Sequence, residues 1–244
     1  MNLKIITLNI AGGLYLDKCL MFFKKANPDI LLLQEVYSSP TQDLLGSINS
    51  VLNHGYVSYA PAYSTTKLEI KTQMGNAVIS KFPIIQEKSI FYDVPYISNY
   101  KEPKNNFELV PRNLQYCEIA TPQTNLNLYN THGIWSKDSK DTKARLNMSK
   151  VIIDQVLGKK HCILGGDFNI TPNTQTIDNI EKVLTNISKN TAQSTFNTRI
   201  KTAAVFSKLI VDMLFISKDV EVFNVTIPNI NISDHLPVVS QLKI

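Results

Sequence analysis

The stretch that most restricts how this chain can fold is His161-Cys-Ile-Leu-Gly-Gly-Asp-Phe-Asn-Ile170. Its apolar start has the character of a buried strand. Two glycines follow, then Asp167 and Asn169 with Phe168 between them. Alternate side chains of an extended chain share a face, so Asp167 and Asn169 point the same way from a strand mouth. Gly165 and Gly166 leave room for a ligand or another backbone to come close. An ordinary strand-to-turn exit uses the same residue types, and locally the two readings are equal. The other strand ends separate them.

The apolar pattern predicts a strand over 3–9 ending at Asn9, a helix over 15–26 stopped by Asn27-Pro28, and a strand over 29–35 closing on Gln34-Glu35. Strand, helix and parallel strand follow in that order. A helix over 40–53 comes next, then strands at 56–60, 74–80, 86–93, 112–120 and 124–131. Residues 94–111 read as a long surface loop. A helix over 140–157 precedes the strand at 161–166, and a short helix over 174–186 follows. Strands at 193–199, 209–217, 219–227 and 236–243 finish the chain. No repeat, low-complexity segment or linker interrupts it, which predicts one domain over 1–244. Strands outnumber helices, so mixed sheets covered by helices are expected.

Polar residues recur where these apolar runs end. Asn9 and Glu35 close the first two strands. His132 follows the strand at 124–131, and Asp167 and Asn169 close the next. Asp212 interrupts the apolar run Leu209-Ile-Val-Asp-Met-Leu-Phe-Ile216, and Asp234-His235 precedes the last strand. A charge inside an apolar run is costly unless paired or bound to a cation, so Asp212 needs a partner, for which a late histidine is suited. Each residue also has a plainer reading when taken singly. His132 suits a satisfied histidine, Asn9 a turn former, Glu35 and Asp234 helix caps or turns. Those readings do not account for the same chemistry at successive strand ends.

That order of motifs resembles the endonuclease/exonuclease/phosphatase superfamily, the deoxyribonuclease I-like fold. The resemblance is carried by Leu-Asn9, Leu-Gln-Glu35-Val, Thr-His132-Gly, Gly-Gly-Asp167-Phe-Asn169, Val-Asp212-Met-Leu-Phe-Ile-Ser and Ser-Asp234-His235-Leu-Pro-Val. It runs from residue 3 to 243. Met74-Gly-Asn-Ala-Val-Ile-Ser-Lys-Phe-Pro83, Arg112 at the opening of a strand, and Arg145 in the helix after the histidine also match. The fold this implies is an α/β (α+β) four-layer sandwich of two mixed, mostly antiparallel β-sheets flanked by helices.

The resemblance also implies a divalent metal, usually Mg²⁺ with Mn²⁺ as a second choice, and hydrolysis of a phosphate ester. A phosphodiester repels an anionic nucleophile, so a cation must offset its charge. Hard oxygen ligands suit Mg²⁺. Glu35 is the first-ranked ligand, with Asn9 beside it and Asp234 in support. Asp167 is the candidate to orient and deprotonate water, and Asn169 to bond a phosphoryl oxygen as charge builds. His235, held by Asp212, would contact the phosphate. His132 would do the same from the other side or protonate the leaving oxygen. Arg112 would clamp a phosphoryl oxygen through its planar fork.

A phosphodiester in nucleic acid is the first-ranked substrate and partner, with a phospholipid or small phosphoester second. A non-catalytic binding module on the same fold is the alternative of another class. The formal charge is +5, which is compatible with a phosphate-rich partner and equally with solvated lysines. Residues 91–112 interleave Tyr96, Tyr100 and other aromatics with lysines, a pattern that can stack bases, seat a lipid headgroup or pack the loop. Trp135, the lone tryptophan, can line the cleft or the core. The start, Leu-Asn9-Ile-Ala-Gly-Gly, departs from that of abasic-site endonucleases. The match is closest to the generic bacterial branch, which resembles tyrosyl-DNA phosphodiesterases in Leu-Gln-Glu-Val.

Three widely spaced cysteines give neither a disulfide framework nor a zinc pattern, so a reducing compartment is the simple inference. No apolar run approaches the roughly 20 residues of a membrane span. The N-terminus reads as a first strand rather than a signal peptide. A cytoplasmic monomer is therefore expected.

Overall fold

A computed structural model describes residues 1–67 and 69–244. The chain opens with β1 (Asn2–Asn9), α1 (Leu16–Ala26), β2 (Ile30–Ser38) and α2 (Leu44–Leu52). Five strands follow: β3 (Tyr56–Lys67), β4 (Ile70–Ser80), β5 (Ile84–Phe91), β6 (Asn113–Ala120) and β7 (Asn125–His132). Then come α3 (Lys143–Val156), β8 (Cys162–Asp167), α4 (Gln175–Glu181) and the two-residue β9 (Thr185–Asn186). The chain closes with β10 (Asp212–Ile216), β11 (Glu221–Thr226) and β12 (Val238–Lys243).

Among the described residues the strands form two six-stranded sheets. Their orders are β11-β12-β1-β2-β4-β3 and β5-β6-β7-β8-β10-β9. In each sheet one pair, β1–β2 or β7–β8, is parallel and the other pairings are antiparallel. Three apolar layers hold four structural layers together. Leu3, Ile5, Ile30 and Leu32 of the first sheet meet Leu126, Leu128, Ile163 and Leu214 of the second. Outside the first sheet, Ile6, Leu8, Leu31 and Leu33 pack against Cys19 and Phe23 of α1 and Ile48 of α2. Outside the second, Leu164 and Phe215 pack against Met148 and Ile152 of α3 and Ile177 of α4. The expected sandwich of mixed, mostly antiparallel sheets flanked by helices is the observed architecture.

The helix ends follow local chemistry. Helix α1 stops at Asn27, whose φ of 45° is left-handed, and Pro28 cannot extend the helix. The Asp43 side chain accepts the Gly46 N–H and caps α2. Thr142 does the same for α3 through the Arg145 N–H. Among the described residues no helix is long and apolar enough to cross a membrane.

Three expectations are corrected. Residues 193–199 are not a strand; Phe196 makes a single bridge to His235. Side chains there capture the backbone instead, since Ser194 Oγ accepts the Phe196 N–H and Asn197 Oδ1 the Arg199 N–H. The helix expected over 174–186 ends at Glu181, and Thr185 and Asn186 pair with Ile216 and Phe215. The strands expected at 56–60 and 74–80 are ends of a longer hairpin, β3–β4, paired out to Lys67 and Ile70. Its outer half carries no apolar alternation, because much of it lies beyond the packed core.

Gly165 has a packing role rather than a ligand's clearance. A Cβ there would lie 2.7 Å from Leu32 Cδ1 and 2.8 Å from Leu214 Cδ1, so the missing side chain lets the two sheets close. Gly166, at φ +149°, lies against the Thr131 carbonyl, which a Cβ would approach to 2.0 Å.

Candidate active site

The inner face of each sheet turns from apolar to polar at one end, and period-two alternation sets which residues take part. In β1, Leu3 and Ile5 face the inter-sheet core, so Thr7 and Asn9 continue that face. Leu126 and Leu128 are followed by Asn130 and His132, Ile163 and Gly165 by Asp167, and Ile216 and Leu214 by Asp212. All these polar residues are buried. Asn130 forms a floor between the sheets: its Nδ2 donates to Leu33 O and Ala77 O at 3.0 Å each, and its Oδ1 accepts from Gln34 Nε2 at 2.7 Å.

Glu35 breaks the alternation. The register of β2 shifts between Leu33 and Val36, and Glu35 has a φ of +52°. Leu33 and Val36 both face the helices, and the bulge turns Glu35 toward the cleft, with Oε1 3.8 Å from His132 Nε2. Asn169 is also left-handed, at φ +56°. Strained backbone of this kind persists only where its surroundings fix it.

Asp167 lies at the centre. Its Oδ2 accepts from Asn9 Nδ2 at 3.0 Å and its Oδ1 from the Asn169 N–H at 2.9 Å. The same Oδ2 is 3.7 Å from His132 Nε2 and 3.9 Å from His235 Nε2. Burial raises the Asp167 pKa to about 6, with His235 opposing the rise and Asp212 adding to it. His235 Nδ1 is 2.8 Å from Asp212 Oδ2. Burial disfavours its charge, yet the carboxylates of Asp212 and Asp167 lift its pKa to about 10. His132 goes the other way. Burial, then Arg112 and His235, push it well below the usual histidine range. The two imidazoles are thus shifted in opposite directions, His235 toward the protonated form and His132 toward the neutral one.

These groups open into a cleft of about 470 Å³ whose lining includes Glu35, Arg112, His132, Asp167, Asn169, Asp234 and His235. Tyr37, Tyr63, Tyr100, Phe107, Trp135, Phe196 and Phe206 supply aromatic walls. Trp135 meets Phe107 edge-on at 4.4 Å between centroids. Arg112 lines the cleft, and its Nε and Nη1 are buried with no protein partner among the described residues.

The expected site residues thus converge, with differences. Tyr96 is outside the cleft lining: it is exposed, and its hydroxyl accepts from Gln73 Nε2 at 3.3 Å. Asn9 serves Asp167 first, because its Oδ1, the atom able to ligate a cation, already accepts the Ala11 N–H at 3.0 Å. Asp234 lines the cleft but is ion-paired, with Oδ2 3.0 Å from Lys201 Nζ. One of the two amide hydrogens of Asn169 goes to Gly133 O at 3.1 Å, leaving the other for a ligand. Sequence reasoning missed Gln34 and Asn130, which alternation would have found, and the aromatic walls Tyr37, Tyr63, Phe196 and Phe206, for which no local signal exists.

The donor set suits a hard cation. The Glu35 carboxylate is half-buried in the cleft without a protein hydrogen bond among the described residues, so its oxygens are open to a hard cation, and Asp167, Asn169 and Asp234 line the same cleft. Asp167, Asp212 and His235 also present ligand atoms within 4.8 Å of one another. In that cluster His235 Nδ1 is committed to Asp212, so only Nε2, on the Asp167 side, could face an ion. An imidazole that keeps both protons cannot ligate at all, and the raised His235 pKa favours reading the trio as a charge network.

A model of the Endonuclease/Exonuclease/phosphatase family matches residues 6–235. Among solved structures, an endonuclease/exonuclease/phosphatase from Beutenbergia cavernae superposes with a TM-score of 0.80 at 16% identity, over 100% of this chain and 72% of that one. The mannosyl-6-phosphatase of Bacteroides thetaiotaomicron gives 0.72 at 18% identity, over 99% and 100%. Humanized TDP2 from D. rerio gives 0.70 at 14% identity, over 100% and 99%. At these identities the likeness concerns the fold. No curated protein gives a significant sequence match.

Proposed function

The chain belongs to the endonuclease/exonuclease/phosphatase family, a family of metal-dependent phosphoesterases, and from that premise we propose that it is a divalent-metal-dependent phosphodiesterase acting on nucleic acid. The observation that carries this reading is the Asp167 carboxylate, buried in the cleft within 3.7 and 3.9 Å of two imidazoles whose pKa values are shifted in opposite directions.

Glu35 would hold the cation, with water completing its shell; Asn9 Oδ1 and Asp234 Oδ2 would join it only by sharing or giving up the Ala11 N–H and Lys201 contacts. When bound, a cation such as Mg²⁺ or Mn²⁺ offsets phosphate charge and favours attack by an anionic nucleophile. The protein residues do the rest. Asp167, with a pKa raised to about 6, is ionised at neutral pH yet basic enough to orient a water and take its proton. The protonated His235, aligned by Asp212, and the free amide hydrogen of Asn169 would donate to phosphoryl oxygens as charge grows. His235 holds the proton that a departing oxygen needs. His132 contributes a neutral donor, and the Arg112 fork takes a further oxygen.

One observation favours a second reading, a small phosphoester. The lining holds four carboxylates, Glu35, Glu102, Asp167 and Asp234, against the fixed cations Arg112 and Lys201, and it is walled by aromatic rings. That suits a single phosphate on a compact ring better than a long polyanion, whose binding draws on many phosphate contacts. The B. thetaiotaomicron neighbour named for a sugar phosphate is consistent with it. A non-catalytic binding module is the reading of another class. The test is a panel of DNA, RNA, sphingomyelin, inositol phosphates and mannose 6-phosphate with Mg²⁺ or Mn²⁺. Turnover of DNA or RNA supports the first reading and turnover of a small ester alone the second. A folded, Mg²⁺-binding protein that cleaves none of them is a binding module.

A further inference from the structure

Asp212 and His235 come from different sheets. Asp212 opens β10 in the second, while His235 precedes β12 in the first. The tripeptide Thr195-Phe196-Asn197 ties the two together. Thr195 Oγ1 accepts the N–H groups of both Val211 and Asp212, at 3.0 and 3.1 Å. The Thr195 N–H donates to Leu209 O at 3.0 Å, and the Thr195 carbonyl accepts the Leu236 N–H at 2.7 Å. The Asn197 N–H donates to Asp234 O at 2.9 Å, and its Nδ2 donates to Ser233 O at 2.9 Å. Both side chains are fully buried. Between them the Phe196 ring lies on the His235 imidazole, 4.6 Å between centroids. The backbone on both sides of His235 and at Asp212 is thus pinned by one short segment that has no strand pairing beyond a single bridge.

We propose that Thr195 and Asn197 are positioning residues that set the Asp212–His235 hydrogen bond, and so aim the imidazole at the phosphate; this rests on His235 being the group that meets the substrate. The residue types fit the task. A threonine hydroxyl has two lone pairs, enough for two N–H groups, and its branched Cβ restricts χ1. Valine keeps the shape and strands two buried donors; serine keeps the oxygen. An imidazole displaced by an ångström from its working position loses much of its effect on the chemical step and little of substrate binding.

The experiment compares Thr195→Val and Thr195→Ser in the full chain. In metal-free wild-type protein the His235 Nδ1–H bonded to Asp212 should give a downfield proton resonance, assigned by its absence in Asp212→Asn. Thr195→Val, folded by circular dichroism, should lose or shift that resonance. Its kcat on bis(p-nitrophenyl) phosphate with Mg²⁺ should fall about tenfold or more, with KM within about twofold. Thr195→Ser should retain both. An unchanged resonance and kcat in folded Thr195→Val overturns the proposal, and so does a Thr195→Ser variant as impaired as Thr195→Val. If Thr195→Val does not fold, Asn197→Ala carries the same expectation, and its unchanged resonance and kcat overturn the proposal equally. A wild-type protein that hydrolyses no phosphoester refutes the hydrolase reading, while the resonance still decides the clip.

Discussion

His235 Nδ1 and Asp212 Oδ2 are 2.8 Å apart and both residues are buried. The carboxylate favours the charged imidazole and fixes the plane of the ring. In Asp212→Asn the amide offers no charge, so the ring should hold its proton less tightly, with Asp167 and Asp234 left to favour it. We expect kcat to fall by about 10² or more, with a smaller change in KM. Steady-state kinetics on whichever panel substrate is turned over reads this, and an unaltered kcat would remove Asp212 from the mechanism.

The pH dependence follows from two shifted groups. Asp167 must be ionised to take a proton, so the rate should rise as pH passes about 6, its raised pKa. His235 must stay protonated, so the rate should fall as pH passes about 10. The profile of kcat/KM should be a bell with a broad top between these limits. An acid limb near the ordinary carboxylate range would show that Asp167 is not the base.

Asp167→Asn removes the base and keeps its shape. Turnover should drop by about 10² to 10⁴. The fold should persist, since an amide oxygen can still accept from Asn9, although one of the two bonds in which Asp167 now accepts would be lost. Activity assay and circular dichroism together test this; retained turnover refutes the assignment.

Glu35 trades stability for the site. Its left-handed φ of +52° is uncommon for a glutamate and costs on the order of 1 kcal/mol, a cost that asparagine tolerates better. Its charge also shares the cleft with the carboxylates of Asp167 and Asp234. Glu35→Asn should therefore raise the melting temperature of metal-free protein while weakening Mg²⁺ binding by about tenfold or more. Thermal denaturation and isothermal titration measure the two arms. Unchanged Mg²⁺ affinity would place the cation elsewhere.

Gly165→Ala puts a methyl group 2.7 and 2.8 Å from two leucines of the inter-sheet core. Overpacking there should destabilise the protein by about 1 to 3 kcal/mol, read from urea denaturation midpoints. A neutral substitution would mean that the sheets are not closed tightly over this position.

Much of the site was legible because a strand's side-chain period is two. Once Ile163 and Leu128 are core, Asp167 and His132 must share their face. Asp212 announced itself as a charge in an apolar run, and its need for a partner named a late histidine. The cleft walls were not legible. Tyr37 comes from β2, Tyr63 from β3, and Phe196 and Phe206 from the connection between β9 and β10, and nothing in the sequence around any of them says that they meet. The strand expected at 193–199 failed for a related reason: Ser194 and Asn197 bind their own backbone.

The sequence by itself determined the sheet faces, the helix end at Asn27-Pro28, and which polar residues sit at strand mouths, because these follow from local periodicity and capping. Only the tertiary structure decided three things. The bulge at Glu35 turns toward the cleft a side chain that simple alternation assigns to the helix side. His132 and His235, alike in sequence, have their pKa values pushed in opposite directions, because one is buried near Arg112 and the other beside two carboxylates. Thr195 and Asn197 tie Asp212 to His235 across the two sheets, a link that the expected Asp212–His235 pairing did not contain. Each depends on which distant groups end up adjacent, and adjacency between sheets is a property of packing that no window of sequence contains.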